Sequence, residues 1–207
     1  MSSRVSRIVL SVVVGMVAVA LGLYSGRFIA LGVGLVFASS LQALALATSV
    51  TWWGFIGLIN GVGLGFGALR RGRLRFILMS VLGFALGGVI AAVPGMNRMD
   101  RASAIAVLAT PVGGALAGLL IGLSVRLKAG VVLMVIAGAL AMWIAQPFFE
   151  LLPPRSILDA LLTALVGSGS STPASSDAGT VALNTLLLLA PGALIGAALS
   201  AWMPDHA

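Results

Sequence analysis

The sequence contains no cysteine, a single histidine and only five acidic residues. Without cysteine, the chain forms no disulfide and offers neither a thiolate ligand for a metal nor a cysteine nucleophile. The histidine, His206, is the penultimate residue, so a histidine-based catalytic triad or metal site cannot be assembled around it. We therefore expect no enzyme, and we expect no catalytic residue, bound metal or cofactor.

Charge of either sign is also scarce. Charged residues make up 8% of the 207 positions and hydrophobic residues 60%, whereas soluble domains have about 25% and roughly 45–50%. So few charges cannot supply the polar exterior of a water-soluble domain, so the apolar surface faces lipid. The net charge of +7 would suit nucleic acid on a soluble protein, but no aqueous domain is long enough to bind it. We expect membrane lipids as partners and no nucleic acid.

Long stretches without charge alternate with short basic clusters. A helix needs about 20 apolar residues to cross a bilayer, and most of these stretches fit one helix each. Residues 28–69 are too long for one helix, and we divide them at the polar patch 48–51, which precedes Trp52 and Trp53. The sequence thus predicts an all-α, polytopic transmembrane bundle of about seven spans. The predicted spans are residues 8–26, 28–47, 52–69, 76–95, 102–125, 129–149 and 180–203.

The basic residues favour a different count. Six spans would place eight of the twelve basic residues on the side of the N-terminus, whereas seven spans would divide them seven against five. Because basic residues concentrate in cytoplasmic loops, charge favours six spans with the N-terminus inside. We prefer seven spans on length, since a lipid-exposed irregular segment within residues 28–69 would leave costly unsatisfied backbone groups. The orientation of the N-terminus stays open, and residues 1–20 also fit a signal peptide.

One polar stretch precedes the last predicted span. Residues 154–166 place leucine and isoleucine on one helical face and polar residues on the other, which predicts an interfacial amphipathic helix. Residues 167–179 are rich in serine and glycine and predict a flexible linker. The whole chain, residues 1–207, is predicted to be a single integral membrane domain.

The chain also contains an internal repeat. A shift of 55 residues aligns residues 63–83 with 118–138, and matches Gly63 with Gly118 and Gly83 with Gly138. Each copy predicts a helical hairpin with a basic turn, and the first two spans, turning at Arg27, are interpreted as a third, degenerate copy. Over about half of the chain, this repeat is similar to an acid-resistance membrane-protein family that is built from helical-hairpin repeats.

Glycine forms ladders with a spacing of four residues. Such small-xxx-small patterns let membrane helices approach closely, so we predict that these glycines pack helices together. The alternative is a passage lined by glycine backbone, whereas no nucleotide-binding glycine motif is present. The predicted packing residues are Gly57, Gly61, Gly65, Gly114, Gly118, Gly122, Gly192 and Gly196.

Four side-chain amides lie within predicted spans, where no ionisable residue is found. They are Gln42, Asn60, Gln146 and Asn184. Each amide either bonds a neighbouring helix or lines a polar path, and Asn60 is the first candidate because it lies among the glycines. The absence of an ionisable residue argues against a proton pump or a carboxylate-driven exchanger.

The densest charge cluster separates two predicted spans. It consists of Arg70, Arg71, Arg73 and Arg75. Arginines beside helix ends attract anionic lipid headgroups and set membrane topology. A docking site for a partner protein is the alternative.

Two functions fit these patterns. The first is a non-catalytic accessory or structural subunit that packs through its glycine-rich helix faces against itself or other membrane chains. We favour it because the spans contain no buried charge and no cluster typical of a ligand site. The alternative is a small permease or channel for a neutral or weakly polar solute. In either case we expect a multi-pass protein of the inner cell membrane. Convergence of the four amides on one cavity would favour the permease.

Overall fold

The computed structural model describes residues 3–36, 40–69, 72–97, 104–125, 128–145 and 189–202. Within these ranges all regular structure is α-helical. The helices are α1 (Ser3–Val36), α2 (Leu41–Ala68), α3 (Arg73–Met96), α4 (Ala104–Ser124), α5 (Lys128–Ala145) and α6 (Ala190–Trp202). The predicted interfacial helix at 154–166 and the linker at 167–179 lie outside the described residues.

Four of these helices are long and apolar enough to cross a membrane. The qualifying segments are Val5–Gly34, Gln42–Gly67, Arg73–Pro94 and Val107–Ser124. Helices α5 and α6 contain shorter apolar segments. Large apolar side chains, among them Val17, Phe66 and Leu82, are more than half exposed on the outside of the bundle. An all-helical bundle suited to lipid is therefore confirmed, whereas the count of about seven spans is not.

Both turns that we predicted near the N-terminus are wrong. Helix α1 continues through Arg27 for 34 residues, because arginine is a good helix former and one such residue does not end a helix. Helix α2 likewise continues through the polar patch at 48–51. There the Thr48 hydroxyl donates to the Leu44 carbonyl at 2.7 Å. Polar side chains satisfied in this way do not interrupt a helix.

The long uncharged stretch divides about ten residues earlier than predicted. Ser40 is the N-cap of α2: its backbone is extended, and its hydroxyl accepts a hydrogen bond from the Ala43 amide at 3.1 Å. Trp52, which follows the polar patch, makes a hydrogen bond between two helices. The Trp52 indole donates to the Leu23 carbonyl of α1 at 3.1 Å.

The six helices form a closed ring. Each packs against its neighbours in the chain, and α6 completes the ring by packing against both α5 and α1. Helix α2 also touches α6 across the interior. Short connections make the successive helices α1 to α5 antiparallel, so α1, α3 and α5 begin at the end of the ring where α2 and α4 terminate. We call this the basic end, because Arg7, Arg73 and Arg75 lie there and Arg70 and Arg71 connect α2 to α3.

Cysteine accessibility tests this arrangement in a chain that has no native cysteine. Ser2→Cys and Ser170→Cys are expected to react from opposite sides of the membrane with a membrane-impermeant maleimide, because the described residues between the two positions form five helices, an odd number. Asn97→Cys, at an exposed residue just beyond α3, is the control and should react from the side of Ser170→Cys. Labelling of Ser2→Cys and Ser170→Cys from the same side would contradict five crossings between them and would agree with the even number that the seven-span prediction places there.

Candidate functional site

The same ten-residue pattern recurs on three alternate helices of the ring. It consists of three small residues four apart, each preceded by a residue that faces the interior, at 56–65 on α2, 113–122 on α4 and 191–200 on α6. The small residues are glycine except for Ser200. Each ladder packs against the next helix in the ring, α2 on α3, α4 on α5 and α6 on α1. The ring is therefore built from three similar helix pairs.

The first glycine of each ladder lies against a carbonyl group of the next helix. A Cβ atom on Gly57 would lie 2.6 Å from the carbonyl oxygen of Ser80, which is closer than real Cβ contacts. Two further pairs have the same close contact, and they are Gly114 with Gly138 and Gly192 with Gly15. Backbone contact of this kind holds membrane helices together, because lipid supplies no hydrophobic force between them.

The second glycine of each ladder repeats this contact one turn further along. A Cβ on Gly61 would lie 3.1 Å from the Cα of Ile77. In the other two ladders, the Cβ would meet a carbonyl oxygen, in the pairs Gly118 with Met134 and Gly196 with Ser11. Of the third residues, Gly65 lies 3.5 Å from Phe76 and Gly122 lies 2.9 Å from Val131, measured from the same Cβ position.

The register of the predicted repeat is corrected by these contacts. The shift of 55 residues pairs Gly63 with Gly118, but Gly63 faces Ala18 of α1, whereas Gly118 faces Met134 of α5. The residue that makes the contact equivalent to that of Gly118 is Gly61. The third copy is formed by α6 and α1 together, because the expected turn at Arg27 lies inside a helix. The sequence contained a signal for it: Gly-Ala-Leu occurs at both 114–116 and 192–194.

The residues that precede the small positions form layers inside the ring. Before the third small position lie Leu64, Ile121 and Leu199, which have 0% exposure and belong to one continuous hydrophobic cluster. We call these three residues the closing layer. Before the second small position lie Asn60, Ala117 and Ile195, with exposures of 0%, 3% and 2%. We call these three residues the amide layer.

A narrow cavity lies inside the ring next to the amide layer. Ala117 and Ile195 of that layer line it, together with backbone of the glycines on α3, α4 and α5, whereas Asn60 is not among the lining residues. Trp53 and Phe84 also line the cavity and stack with ring centroids 6.3 Å apart. The volume of the cavity is about 10 Å³. This is near the minimum volume that holds one water molecule.

Asn60 is the exception in this apolar interior. Its side-chain oxygen and nitrogen are both buried, and neither has a hydrogen-bond partner among the described residues. An unsatisfied buried group of this kind costs about 1–3 kcal/mol. Ser80, the nearest buried polar residue on α3, is satisfied because its hydroxyl donates to the Gly57 carbonyl at 2.9 Å.

The four amides do not come together within the described ranges. Gln42 is exposed in the first turn of α2, whereas Asn60 lies five turns further along the same helix. Gln146 and Asn184 lie outside the described residues. Gln42 and Asn60 do not form a shared polar path, which by our own criterion counts against the permease, and of the two only Asn60 belongs to the interior.

Two arginines of the charge cluster, Arg73 and Arg75, lie within the described residues, and both donate hydrogen bonds to carbonyls at helix ends. Arg73 donates from Nε to the Leu69 carbonyl at 2.7 Å, and Arg75 donates from Nη2 to the Leu123 carbonyl of α4 at 3.2 Å. Such bonds satisfy the last carbonyls of a helix and favour its dipole. Both side chains are exposed at the basic end. Arg70 and Arg71 lie outside the described residues.

Groups for acid–base or metal chemistry were not found in the parts of the chain that the structure describes. No charged side chain is buried there, and no three His, Cys, Asp or Glu residues cluster. The sequence matches no protein-family model and no curated protein, and the structure matches no solved structure. The hairpin similarity to the acid-resistance family therefore gains no support from these comparisons.

Proposed function

We propose that the protein is a small permease or channel for a neutral or weakly polar solute, and that it spans the inner cell membrane several times. The observation that carries this proposal is Asn60, an amide without a partner among the described residues, in the interior of a closed helical ring. The other two residues of its layer, Ala117 and Ile195, line the cavity. Polar groups inside a membrane domain are costly, so such a group is a candidate contact for a solute.

The glycine ladders support this choice over the accessory subunit that the sequence alone favoured. That hypothesis used the glycine faces to pack the protein against itself or against other membrane chains. In the ring, the ladder glycines of α2, α4 and α6 lie against the next helix of the same chain. Because the ladder glycines already contact helices of the same chain, they are not available to bind other chains. A bundle of this kind that retains a cavity is better suited to enclosing a solute than to docking through its glycine faces.

The interior also supports a neutral solute. In the described ranges, only Ser11, Asn60 and Ser80 are buried polar residues, and none of them carries a charge. An ion on this path would lose its hydration without a counter-charge, at a cost of several kcal/mol. A neutral molecule needs only hydrogen bonds, and Asn60 supplies both a donor and an acceptor.

The accessory or structural subunit is the second candidate. It is favoured by the closing layer, where Leu64, Ile121 and Leu199 have no exposed surface, so the described conformation has no continuous passage through that layer. On this hypothesis the protein would bind other membrane chains through its outward apolar side chains, since the glycine ladders are covered.

Flux measurements distinguish the two functions. The purified chain in proteoliposomes is expected to shrink or swell faster than protein-free vesicles for water, or for a small neutral solute such as urea or glycerol, in stopped-flow light scattering. Asn60→Leu should reduce the excess rate, whereas Asn97→Leu, at an exposed amide, should leave it unchanged. Rates equal to those of empty vesicles for all three compounds would contradict the permease and favour the accessory subunit.

A further inference from the structure

We propose that Asn60 binds one neutral molecule of about the size of water, able both to donate and to accept hydrogen bonds, in the amide layer beside the cavity. The inference rests on the proposed function for its role in transport, and it names the class of molecule that the interior recognises. Occupancy of the site can be measured separately from flux.

The Asn60 amide can both donate and accept hydrogen bonds. The Asn60 side chain offers two N–H donors and a carbonyl acceptor, and neither polar atom has a partner among the described residues. Buried polar groups in native proteins are almost always hydrogen-bonded, to protein or to ordered water. The partner that satisfies both ends of an amide is a molecule that is itself donor and acceptor.

Helix packing does not require an amide at position 60. Ala117 and Ile195 occupy the same place in the other two ladders, and both are almost fully buried. An apolar side chain therefore fits the ring at this level, in helices that make the same glycine contacts. Asn60 carries a polar cost that its two counterparts avoid, which indicates a role other than packing.

The open space nearest to the amide borders the other two residues of its layer, and Asn60 itself does not line it. Ala117 and Ile195, which share its layer, line the cavity, and the cavity admits the centre of about one water-sized sphere. Ser80 adds a second polar group nearby, because its Oγ lies 3.3 Å from the position of a Cβ on Gly61, the residue after Asn60. The Ser80 hydroxyl donates to Gly57 and still has a lone pair to accept a hydrogen bond.

Water itself is the probe for the experiment. The protein is labelled with ¹⁵N-asparagine in lipid bilayers, and polarisation transfer from water to the side-chain amides is followed by solid-state NMR. The chain has only three asparagines, so Asn60→Leu and Asn60→Ala each identify the Asn60 signal by its loss. The exposed Asn97, whose Nδ2 donates to the Val93 carbonyl at 2.9 Å, is the internal control for a hydrated amide.

We expect water transfer to the Asn60 amide at a rate within about threefold of that to Asn97. The proposal would be overturned if polarisation from water reached the Asn60 amide no faster than it reaches the buried backbone amides. The measurement is made on the unmodified protein, so it holds even if one variant folds poorly. Two variants are available for assignment.

Thermal unfolding supplies a second arm. Leucine has nearly the shape of asparagine but no hydrogen-bonding group, so Asn60→Leu would stabilise the fold if the amide were simply unsatisfied. We expect a midpoint no higher than that of the unmodified protein, because the variant also loses the bonds to the bound molecule. A rise of several degrees would overturn the proposal.

The two proposals fail in different ways. Water transfer to Asn60 without any solute flux would leave the binding site in place and contradict the permease. Flux without water transfer to Asn60 would leave the permease in place and overturn this site.

Discussion

A Gly118→Ala variant is expected to unfold about 5–10 °C below the unmodified protein, whereas Gly32→Ala unfolds at the same temperature or up to about 4 °C above it. Both substitutions add one methyl group to a glycine inside a helix. On Gly118 that methyl would meet the carbonyl oxygen of Met134, at a distance that no relaxed structure allows. On Gly32 it would meet nothing within 4 Å.

The contrast isolates helix contact from helix propensity. Alanine is a better helix former than glycine by about 1 kcal/mol, so both variants gain the same helix-propensity contribution to the free energy of unfolding. Only Gly118→Ala must push α4 away from α5. Midpoints are measured by tryptophan fluorescence in one detergent, together with size-exclusion profiles. Equal midpoints for the two variants would mean that the ladder on α4 does not bear on helix packing.

Ile121→Ala is expected to increase solute flux in proteoliposomes by about tenfold or more. Ile121 is a fully buried member of the closing layer, and apolar constrictions close a path by excluding water. Removing its side chain beyond Cβ widens this layer, and lowering the barrier by only ~1.4 kcal/mol suffices for a tenfold change. The same stopped-flow assay measures the rate for the solute that the unmodified protein conducts best.

Leu123→Ala is the matched control. It removes a similar volume from the same helix, but Leu123 is 47% exposed on the outer face of the ring. Its flux is expected to equal that of the unmodified protein. Because Ile121→Ala also leaves a cavity that lowers stability, both variants are compared well below their unfolding midpoints. An unchanged flux in Ile121→Ala would count against a path through the closing layer.

The sequence was informative wherever one residue type has a strong solvent preference. Sixty per cent hydrophobic residues with 8% charge require lipid contact whatever the arrangement of helices. The apolar segments near residues 76–95 and 102–125 correspond to α3 and α4 because basic clusters bound them. The predicted helix ends were wrong where a sequence pattern is compatible with two structures. A polar patch such as 48–51 either ends a helix or satisfies itself within it, and only the partners decide.

Ser49 illustrates this dependence on partners. From sequence it marked a turn, yet in the ring its hydroxyl donates to the carbonyl of Gly88 at 2.9 Å, across the contact between α2 and α3. No local signal reports a residue that lies 39 positions away. The two adjacent serines at 39–40 were the better signal, because serine is a preferred N-cap and Ser40 caps α2.

The amino-acid sequence by itself determined that this protein is an all-helical membrane bundle. It also showed that the glycines recur every four residues, as on one face of a helix, and that a polar residue, Asn60, lies among these glycines. These properties follow from composition and periodicity, which are local and additive. Only the tertiary structure decided that α6 packs against α1, that three ladders recur around one interior, and that Asn60 is buried there without a hydrogen-bond partner among the described residues. The physical reason is that closure of a ring depends on which helix each glycine face meets. A glycine ladder marks a helix face that permits close approach, but it does not specify which helix approaches it.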